Sequence, residues 1–135
     1  MSQVEPFRYY DYTVLVRDLD PQGHMANHVY VAYLSETRGR FLHEGGRSVE
    51  GLHPSVVAEI RCSYVSSLLP FEPFRVGVRI SRIGRTSIGF EYEMLAGERL
   101  AARGESVEVL VDAVSRRPRE IPPGVRELLG RLGSA

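Results

Sequence analysis

The chain of 135 residues contains no lysine, a single cysteine and no net charge at neutral pH. The absence of lysine excludes mechanisms that use a Schiff-base lysine or the lysine of a phosphate-binding P-loop. The zero net charge argues against a nucleic-acid binder that relies on a broad basic field. We therefore look for function in a local site, and we expect no nucleic-acid partner.

Two further absences concern the cell compartment. The single Cys62 permits no internal disulfide, which fits a reducing environment. The N-terminal residues MSQVEPFRYY include no apolar signal region, and no stretch reaches the length of a transmembrane helix. Hydrophobic residues make up 43% and charged residues 25%, as in folded globular proteins. We expect a cytoplasmic protein with one domain over residues 1–135 and no membrane partner.

Apolar residues alternate with polar ones in five segments, which predicts five β-strands. The expected strands are Phe7–Val16, Val56–Val65, Phe74–Ile80, Ile88–Met94 and Leu100–Asp112. In the last strand, Val107, Val109 and Val111 are expected to face the core. A slip in the alternation at Arg82-Ile83-Gly84 predicts a bulge or turn.

A helix is predicted between the first two strands, because apolar residues recur there at helical spacing. They are Tyr30, Tyr33, Leu34, Thr37 and Phe41. Asn27 is a candidate N-cap, and Gly45-Gly46 is expected to end the helix. Apolar neighbours in the first turn indicate that the helix is enclosed on several sides. A short second helix is expected from Pro122-Pro123 to Leu132.

One strand, a long helix and then consecutive antiparallel strands define the α+β class. The predicted architecture is an antiparallel sheet of about five strands wrapped around one long central helix, with a short C-terminal helix. The outer strands leave open edges, so we expect a symmetric homodimer or a homotetramer.

The segment DLDPQGHMANHVYVAY, from Asp18 to Tyr33, concentrates the reactive side chains directly before the helix. Asp20-Pro21 is typical of a simple turn. A second interpretation is a reactive carboxylate, with Asp18 as its neighbour. Spacing alone favours the turn.

The loop Asp18-Leu19-Asp20-Pro21-Gln22-Gly23-His24 resembles the D-x-D-x-x-G loop of the 4-hydroxybenzoyl-CoA thioesterase family, whose members have the hotdog fold. It is also similar to the acyl-ACP thioesterase pattern D-x-D-x-N-x-H-x-N-N, with Gln22 and Ala26 in place of two asparagines. Three later blocks extend the resemblance over nearly the whole chain: Ala58-Glu59-Ile60 with Tyr64, Arg82–Ser87 leading into Phe90-Glu91-Tyr92, and Arg117–Pro122. The chain departs from the family at Pro70-Phe71-Glu72-Pro73, where many relatives carry a Gly-Asp turn.

The resemblance implies hydrolysis of an acyl-CoA or acyl-ACP thioester to a free acid and a thiol. Its catalytic residues would be Asp20, as nucleophile or general base, with His24 and Asn27. Backbone amides at the start of the helix, around Asn27 to Val29, would polarise the thioester carbonyl. The implied substrate-binding residues are His28, Val29, Tyr30, Arg82, Arg85, Thr86 and Ser87. No metal and no cofactor are expected, since coenzyme A is part of the substrate.

Several alternatives stay open at this point. Glu36 or Glu59 could serve as the base instead of Asp20. Tyr30, Tyr33 and Tyr64 could line an acyl pocket or belong to the core. The chain could also be an enoyl-CoA hydratase of the same fold, although its Asp-to-His spacing is one residue short for that pattern. A non-catalytic acyl-CoA-binding protein is the third possibility.

Overall fold

A computed structural model describes residues 6–43 and 51–134, and it contains the five predicted strands and both predicted helices. The strands are β1 (Arg8–Thr13), β2 (Ser55–Tyr64), β3 (Pro73–Ile83), β4 (Ser87–Ala96) and β5 (Arg99–Leu110). The helices are α1 (Asn27–Leu42) and α2 (Pro123–Ser134), and a single 3-10 turn covers Val16–Asp18. Gly45-Gly46, the predicted end of the first helix, lies outside the described residues.

The five strands form one antiparallel sheet in the order β1-β3-β4-β5-β2. Their alternation places apolar residues on the face that covers α1, because successive side chains of a strand point to opposite faces. The register of β3 against β4 shifts between Ile80 and Arg82, which confirms the predicted bulge. β1 and β2 are the two edges of the sheet within this chain.

Helix α1 packs into the sheet along the predicted stripe. Tyr30, Leu34, Thr37 and Phe41 are all buried. The helix approaches β5 closely at Gly104, where an added Cβ would lie 2.7 Å from Leu34 Cδ1. A side chain at this position would force Leu34 to shift, so the glycine allows the close packing of α1 on β5.

Helix α2 packs against β3, with Val125 and Leu129 buried. The Arg126 guanidinium donates hydrogen bonds to the carbonyls of Ile83 and Gly84, 3.4 and 2.7 Å away. α2 thus holds the end of β3 in place. Within the described ranges, both helices fall short of the length and apolarity that crossing a membrane requires.

Two details of the sequence prediction are wrong. In the second half of β5, Ser106, Glu108 and Leu110 are buried, so Val107 and Val109 lie on the outer, half-buried face, whereas Val111, directly after the strand, is buried as predicted. Hydropathy favoured the valines, but the inward Ser106 and Glu108 are paired with polar partners that the pattern cannot reveal. At the start of α1, the N-cap is Ala26, and Asn27 is the first helical residue.

Candidate active site

The loop before α1 is closed by main-chain hydrogen bonds. Leu19 and Met25 form an isolated antiparallel bridge across it. The Asp20 N–H donates to the His24 carbonyl at 2.9 Å, and the Gly23 N–H donates to the Asp20 carbonyl at 3.0 Å. Gly23 has φ +84°, a left-handed conformation that glycine adopts without strain. The predicted turn at Pro21–Gly23 is confirmed, and it returns the chain to the start of the helix.

The Asp20 carboxylate has two different oxygens. Its Oδ1 accepts the N–H groups of Gln22 at 2.9 Å and His24 at 3.3 Å, which makes the side chain part of the turn. Its Oδ2 accepts no hydrogen bond from the described residues. The structural interpretation and the functional one are therefore compatible, because one oxygen holds the loop while the other stays available.

The start of α1 carries unpaired amide groups. In the structure as described, no side chain caps this end of the helix. The Val29 N–H donates to the Ala26 carbonyl at 3.0 Å, which leaves the amides of Asn27 and His28 at the helix terminus. These amides and the helix dipole make the terminus a favourable position for an oxygen that gains negative charge.

Asp20 and the start of α1 border one open cleft of about 390 Å³. Its other walls come from the loop itself and from the end of β2. The lining residues are Asp20, Gln22, His24, Met25, Asn27, Tyr30, Tyr64, Val65, Ser66 and Ser67. Two further depressions, of about 370 and 470 Å³, lie on the outer face of the sheet among charged side chains that include the Arg61–Glu105 pair.

Two tyrosines join the wall of this cleft to the helix. The Tyr64 hydroxyl donates to the Asn27 carbonyl at 2.9 Å, and the rings of Tyr30 and Tyr64 meet edge to face at 5.0 Å. The Tyr30 hydroxyl accepts the Leu68 N–H and donates to the Ser66 carbonyl. Burial raises the pKa of Tyr30, so this hydroxyl remains protonated at neutral pH. Tyr30 thus belongs to both core and cleft, whereas Tyr64 is a wall residue.

The predicted residues next to the cleft divide into two groups. Asp20, His24, Asn27 and Tyr30 line it together, as the sequence suggested. His28 is exposed and Val29 half-buried on α1, and neither side chain lines the cleft.

Glu36 and Glu59, the alternative candidates for the base, are also exposed, and Glu59 accepts a hydrogen bond from Arg61 on the outer face. In this chain neither glutamate is buried and neither lines the Asp20 cleft, so the described site gives no support to either of them as the base.

The predicted phosphate-binding group, Arg82, Arg85, Thr86 and Ser87, lies at the opposite end of the sheet from Asp20 in this chain. The Thr86 carbonyl accepts the Leu110 N–H, and Leu110 pairs with Ser55 at the start of β2. The Asp20 cleft instead contains Tyr64, at the end of β2. A ten-residue strand spans about 30 Å, so one chain cannot bring the two groups together.

The two arginines of this group have different surroundings. Arg85 forms an exposed ion pair with Glu120 at 3.0 Å. Arg82 lies on the outer face of the sheet beside Gly89.

Sequence reasoning missed several residues of the site. Val65, Ser66 and Ser67 line the cleft because the chain after β2 folds back beside the loop, with the Met25 N–H donating to the Leu68 carbonyl at 2.9 Å. A serine pair after a strand gives no functional signal of its own. A buried polar cluster on the inner face was also missed.

This cluster joins α1 to β2, β4 and β5. Arg38 pairs with Glu108 at 3.3 Å and donates to the Tyr92 hydroxyl at 3.1 Å. Glu108 also accepts the Ser55 hydroxyl at 2.8 Å, and Tyr92 bonds Ser106 at 2.7 Å. Burial raises the pKa of Tyr92. The cluster does not line the Asp20 cleft, and its members satisfy one another.

For metal binding, the described part of the chain brings together no group of three or more His, Cys, Asp or Glu side chains. The arrangement around Asp20 offers instead one carboxylate oxygen, a helix amide terminus and a cleft wall with two tyrosines. These groups can bind and attack a polarised carbonyl compound.

A five-stranded antiparallel sheet around one central helix defines the hotdog class of proteins, and this chain adds an acidic loop at the start of that helix. Within that class, the chain belongs to the Thioesterase-like superfamily, whose family model matches residues 14–129.

The chain is also similar to several solved structures and to one curated protein. A thioesterase from Thermus thermophilus, solved with coenzyme A and Zn, is 29% identical, with a TM-score of 0.81 over 99% of both chains. The PA5185 protein of Pseudomonas aeruginosa is 28% identical, with a TM-score of 0.79 over 97% of this chain and 98% of the other.

The curated relative is the uncharacterized protein YsmA of Bacillus subtilis (strain 168), which is 30% identical over 89 residues. That match covers 64% of this chain and 60% of the relative.

Proposed function

We propose that this protein is an acyl-CoA thioesterase that hydrolyses the thioester of an acyl-CoA to a free acid and coenzyme A. The observation that carries the proposal is that the Asp20 carboxylate and the amide terminus of α1 border the same cleft. A thioester is already activated, so its hydrolysis needs little more than a polarised carbonyl and a carboxylate. The coenzyme A in the Thermus thermophilus structure supports this choice of carrier.

In the proposed reaction, the thioester oxygen rests on the amides of Asn27 and His28. Charge that develops on this oxygen in the transition state is stabilised there, an effect of about 3 kcal/mol per donor in other acyl-transfer sites. The Oδ2 of Asp20 faces the carbonyl carbon and either attacks it or removes a proton from an attacking water. The C–S bond then breaks, and the thiolate leaves and takes up a proton.

His24 is proposed to assist Asp20 from the same loop. Its N–H already donates to Asp20 Oδ1, and its half-buried side chain lines the cleft. In the direct-attack route, an acyl-Asp20 anhydride forms and water hydrolyses it in a second step. In the water route, Asp20 takes a proton from the attacking water, and the His24 imidazole assists its transfer to the leaving thiolate. Both routes use the same carboxylate, and both return it unchanged.

We propose a dimer in which the exposed edges of two β2 strands pair. β2 is the longer of the two edge strands, and Val56, Val57 and Tyr64 on it are 41%, 44% and 46% exposed. Antiparallel pairing about a two-fold axis places the start of one β2 opposite the end of the other.

This pairing would bring the Arg82–Ser87 segment of a second copy towards the Asp20 cleft of the first. Arginine forks and hydroxyls suit phosphate oxygens. The dimer would therefore reunite the two predicted halves of the site, which one chain holds at opposite ends. We therefore propose that the Arg82–Ser87 segment of one subunit binds the phosphates of the substrate that lies in the Asp20 cleft of the other subunit. Its members are Arg82, Arg85, Thr86 and Ser87.

The test is release of thiol from a panel of acyl-CoAs that covers aromatic, short aliphatic and long aliphatic acyl groups. Hydrolysis gives free thiol, which a thiol reagent detects, with an equal amount of free acid. A hydratase would remove the double bond of an enoyl-CoA without release of thiol. A binding protein would show only a thermal shift. Either of the last two results, with no thiol from any substrate, would refute the proposed function.

A further inference from the structure

The other acid of the loop, Asp18, lies apart from the cleft. It is 6% exposed, at the end of the 3-10 turn, and it does not line the Asp20 cleft. Its Oδ2 accepts two hydrogen bonds, from the Leu15 N–H at 2.9 Å and from the Tyr33 hydroxyl at 2.7 Å. A buried carboxylate with these partners is bound into the fold, so it cannot reach a substrate.

The main chain of Asp18 is also tied to the helix. Its carbonyl accepts the N–H of Ala26, the N-cap of α1, at 2.9 Å. Its side chain meets Tyr33, the seventh residue of the same helix. Asp18 thus joins the beginning of the loop to α1 at two points. Asp20, two residues later, has no such bond to the body of the helix among the described contacts.

Tyr33 is a rigid anchor for this link. Its ring meets the rings of Tyr12 and Phe74 edge to face, each at a centroid distance of 5.0 Å. Burial and the hydrogen bond to Asp18 raise the pKa of Tyr33 to about 12. The hydroxyl therefore remains a donor over the whole range in which a thioesterase can be assayed.

We infer that Asp18 is a positioning residue, which through its bond to Tyr33 holds Asp20 at a fixed distance from the amide terminus of α1. The inference rests on the proposed function, because it concerns the geometry of that reaction. Without the bond to Tyr33, the described hydrogen bonds between the loop and α1 come from the main chain alone. A displacement of the attacking group by about 1 Å can lower the rate about 100-fold.

The test compares two substitutions at Asp18. Asp18→Asn keeps an oxygen that can accept both hydrogen bonds, whereas Asp18→Ala removes it. We expect kcat for Asp18→Asn within about threefold of the wild-type value, and a fall of about 100-fold for Asp18→Ala with KM nearly unchanged. Tyr33→Phe keeps the packed ring and removes only the hydroxyl, and we expect about a 10-fold fall in kcat.

A second readout separates positioning from a general structural loss. In an Asp20→Asn background the carboxylate to be positioned is absent, so Asp18→Ala and Tyr33→Phe should leave the residual rate unchanged. If Asp18→Ala does not fold, Tyr33→Phe carries the same test in both backgrounds.

Three results would overturn the inference. The first is wild-type kcat in both Asp18→Ala and Tyr33→Phe. The second is an equal loss in the Asp20→Asn background. The third is an Asp18→Asn variant as impaired as Asp20→Asn with a shifted pH profile, which would assign Asp18 an electrostatic role. A wild-type protein without thioesterase activity would instead refute the proposed function, and the two failures are therefore distinct.

Discussion

Asp18 and Asp20 are separated by one leucine, yet their environments differ. Asp18 is buried and holds two donors on one oxygen, whereas Asp20 is half-buried and keeps one oxygen without a described partner. The difference arises because the 3-10 turn directs Asp18 towards α1 and the following turn directs Asp20 to the cleft. Two acids of one motif thus have separate duties in our account, one in geometry and one in chemistry.

The buried Arg38–Glu108 pair gives a prediction about single residues. The two side chains are 11% and 7% exposed. Glu108→Ala leaves the Arg38 charge buried without its partner, so we expect a loss of about 3–5 kcal/mol in the free energy of unfolding. Urea denaturation measures it.

The matched control is Glu105→Ala, on the outer face of the same strand. Glu105 also pairs with an arginine, but the side chains of Arg61 and Glu105 are 70% and 58% exposed. For Glu105→Ala we expect a loss of about 1 kcal/mol or less in the free energy of unfolding. Equal losses in the two variants would mean that the Glu108 cluster is solvated and not part of the core.

Among the elements, the contact between α1 and β5 depends on a glycine. At Gly104, an added Cβ would meet Leu34 Cδ1 at 2.7 Å and the Arg61 carbonyl oxygen at 3.0 Å. We expect Gly104→Ala to destabilise the protein by about 1–3 kcal/mol, since the fully buried Leu34 side chain and the Arg61 carbonyl must shift to admit the methyl group. Chemical denaturation of the purified variant measures this.

Gly39, within α1, provides the opposite case. An added Cβ would have no atom within 4 Å there. Gly39→Ala should therefore stabilise the protein by up to about 1 kcal/mol through helix propensity. If both variants gained stability, α1 would not pack as closely on β5 as described.

The order and type of the secondary-structure elements could be predicted from the sequence, but not every buried face could. The sequence pattern predicted all five strands and both helices, most directly β3, β4 and α1, which bury one face or one stripe; the exposed edge strand β2 keeps its alternation without a buried residue in this chain. Hydropathy failed for the faces of β5, since Ser106 and Glu108 point inward only because Tyr92, Ser55 and Arg38 satisfy them. Such partners come from other elements, and local periodicity contains no record of them.

The same reason limited the prediction of the site. Asp20, His24 and Asn27 belong to one continuous segment, so a motif could bring them together. Ser66 and Ser67 join the cleft only through the path of the chain after β2. The link between Asp18 and Tyr33 joins residues 15 positions apart and needs the coordinates of both loop and helix. Its only trace in the sequence is the presence of both polar groups in the same stretch.

At the level of the whole molecule, the proposed dimer predicts that activity depends on the β2 edge. Val57 is 44% exposed on this strand, and a lysine there should oppose pairing of two edges. We expect Val57→Lys to shift the protein from dimer to monomer in analytical ultracentrifugation and to lower thioesterase activity in parallel. The loss of activity would follow because each cleft loses the partner's phosphate-binding segment.

Leu128→Lys is the matched control. Leu128 is 40% exposed on α2, which packs on β3 and not on the β2 edge. This variant should keep the wild-type mass and activity. A Val57→Lys variant that remains dimeric and active would place the interface elsewhere.

The central claim is that the Asp20 carboxylate performs the chemistry, and Asp20→Asn tests it most directly. The amide keeps an oxygen for the Gln22 and His24 N–H groups, so the loop should persist, and circular dichroism and thermal unfolding should match the wild type. On the best acyl-CoA of the panel, thiol release measured at saturating substrate should fall about 10²–10⁴-fold. A folded Asp20→Asn protein with wild-type turnover would contradict the account.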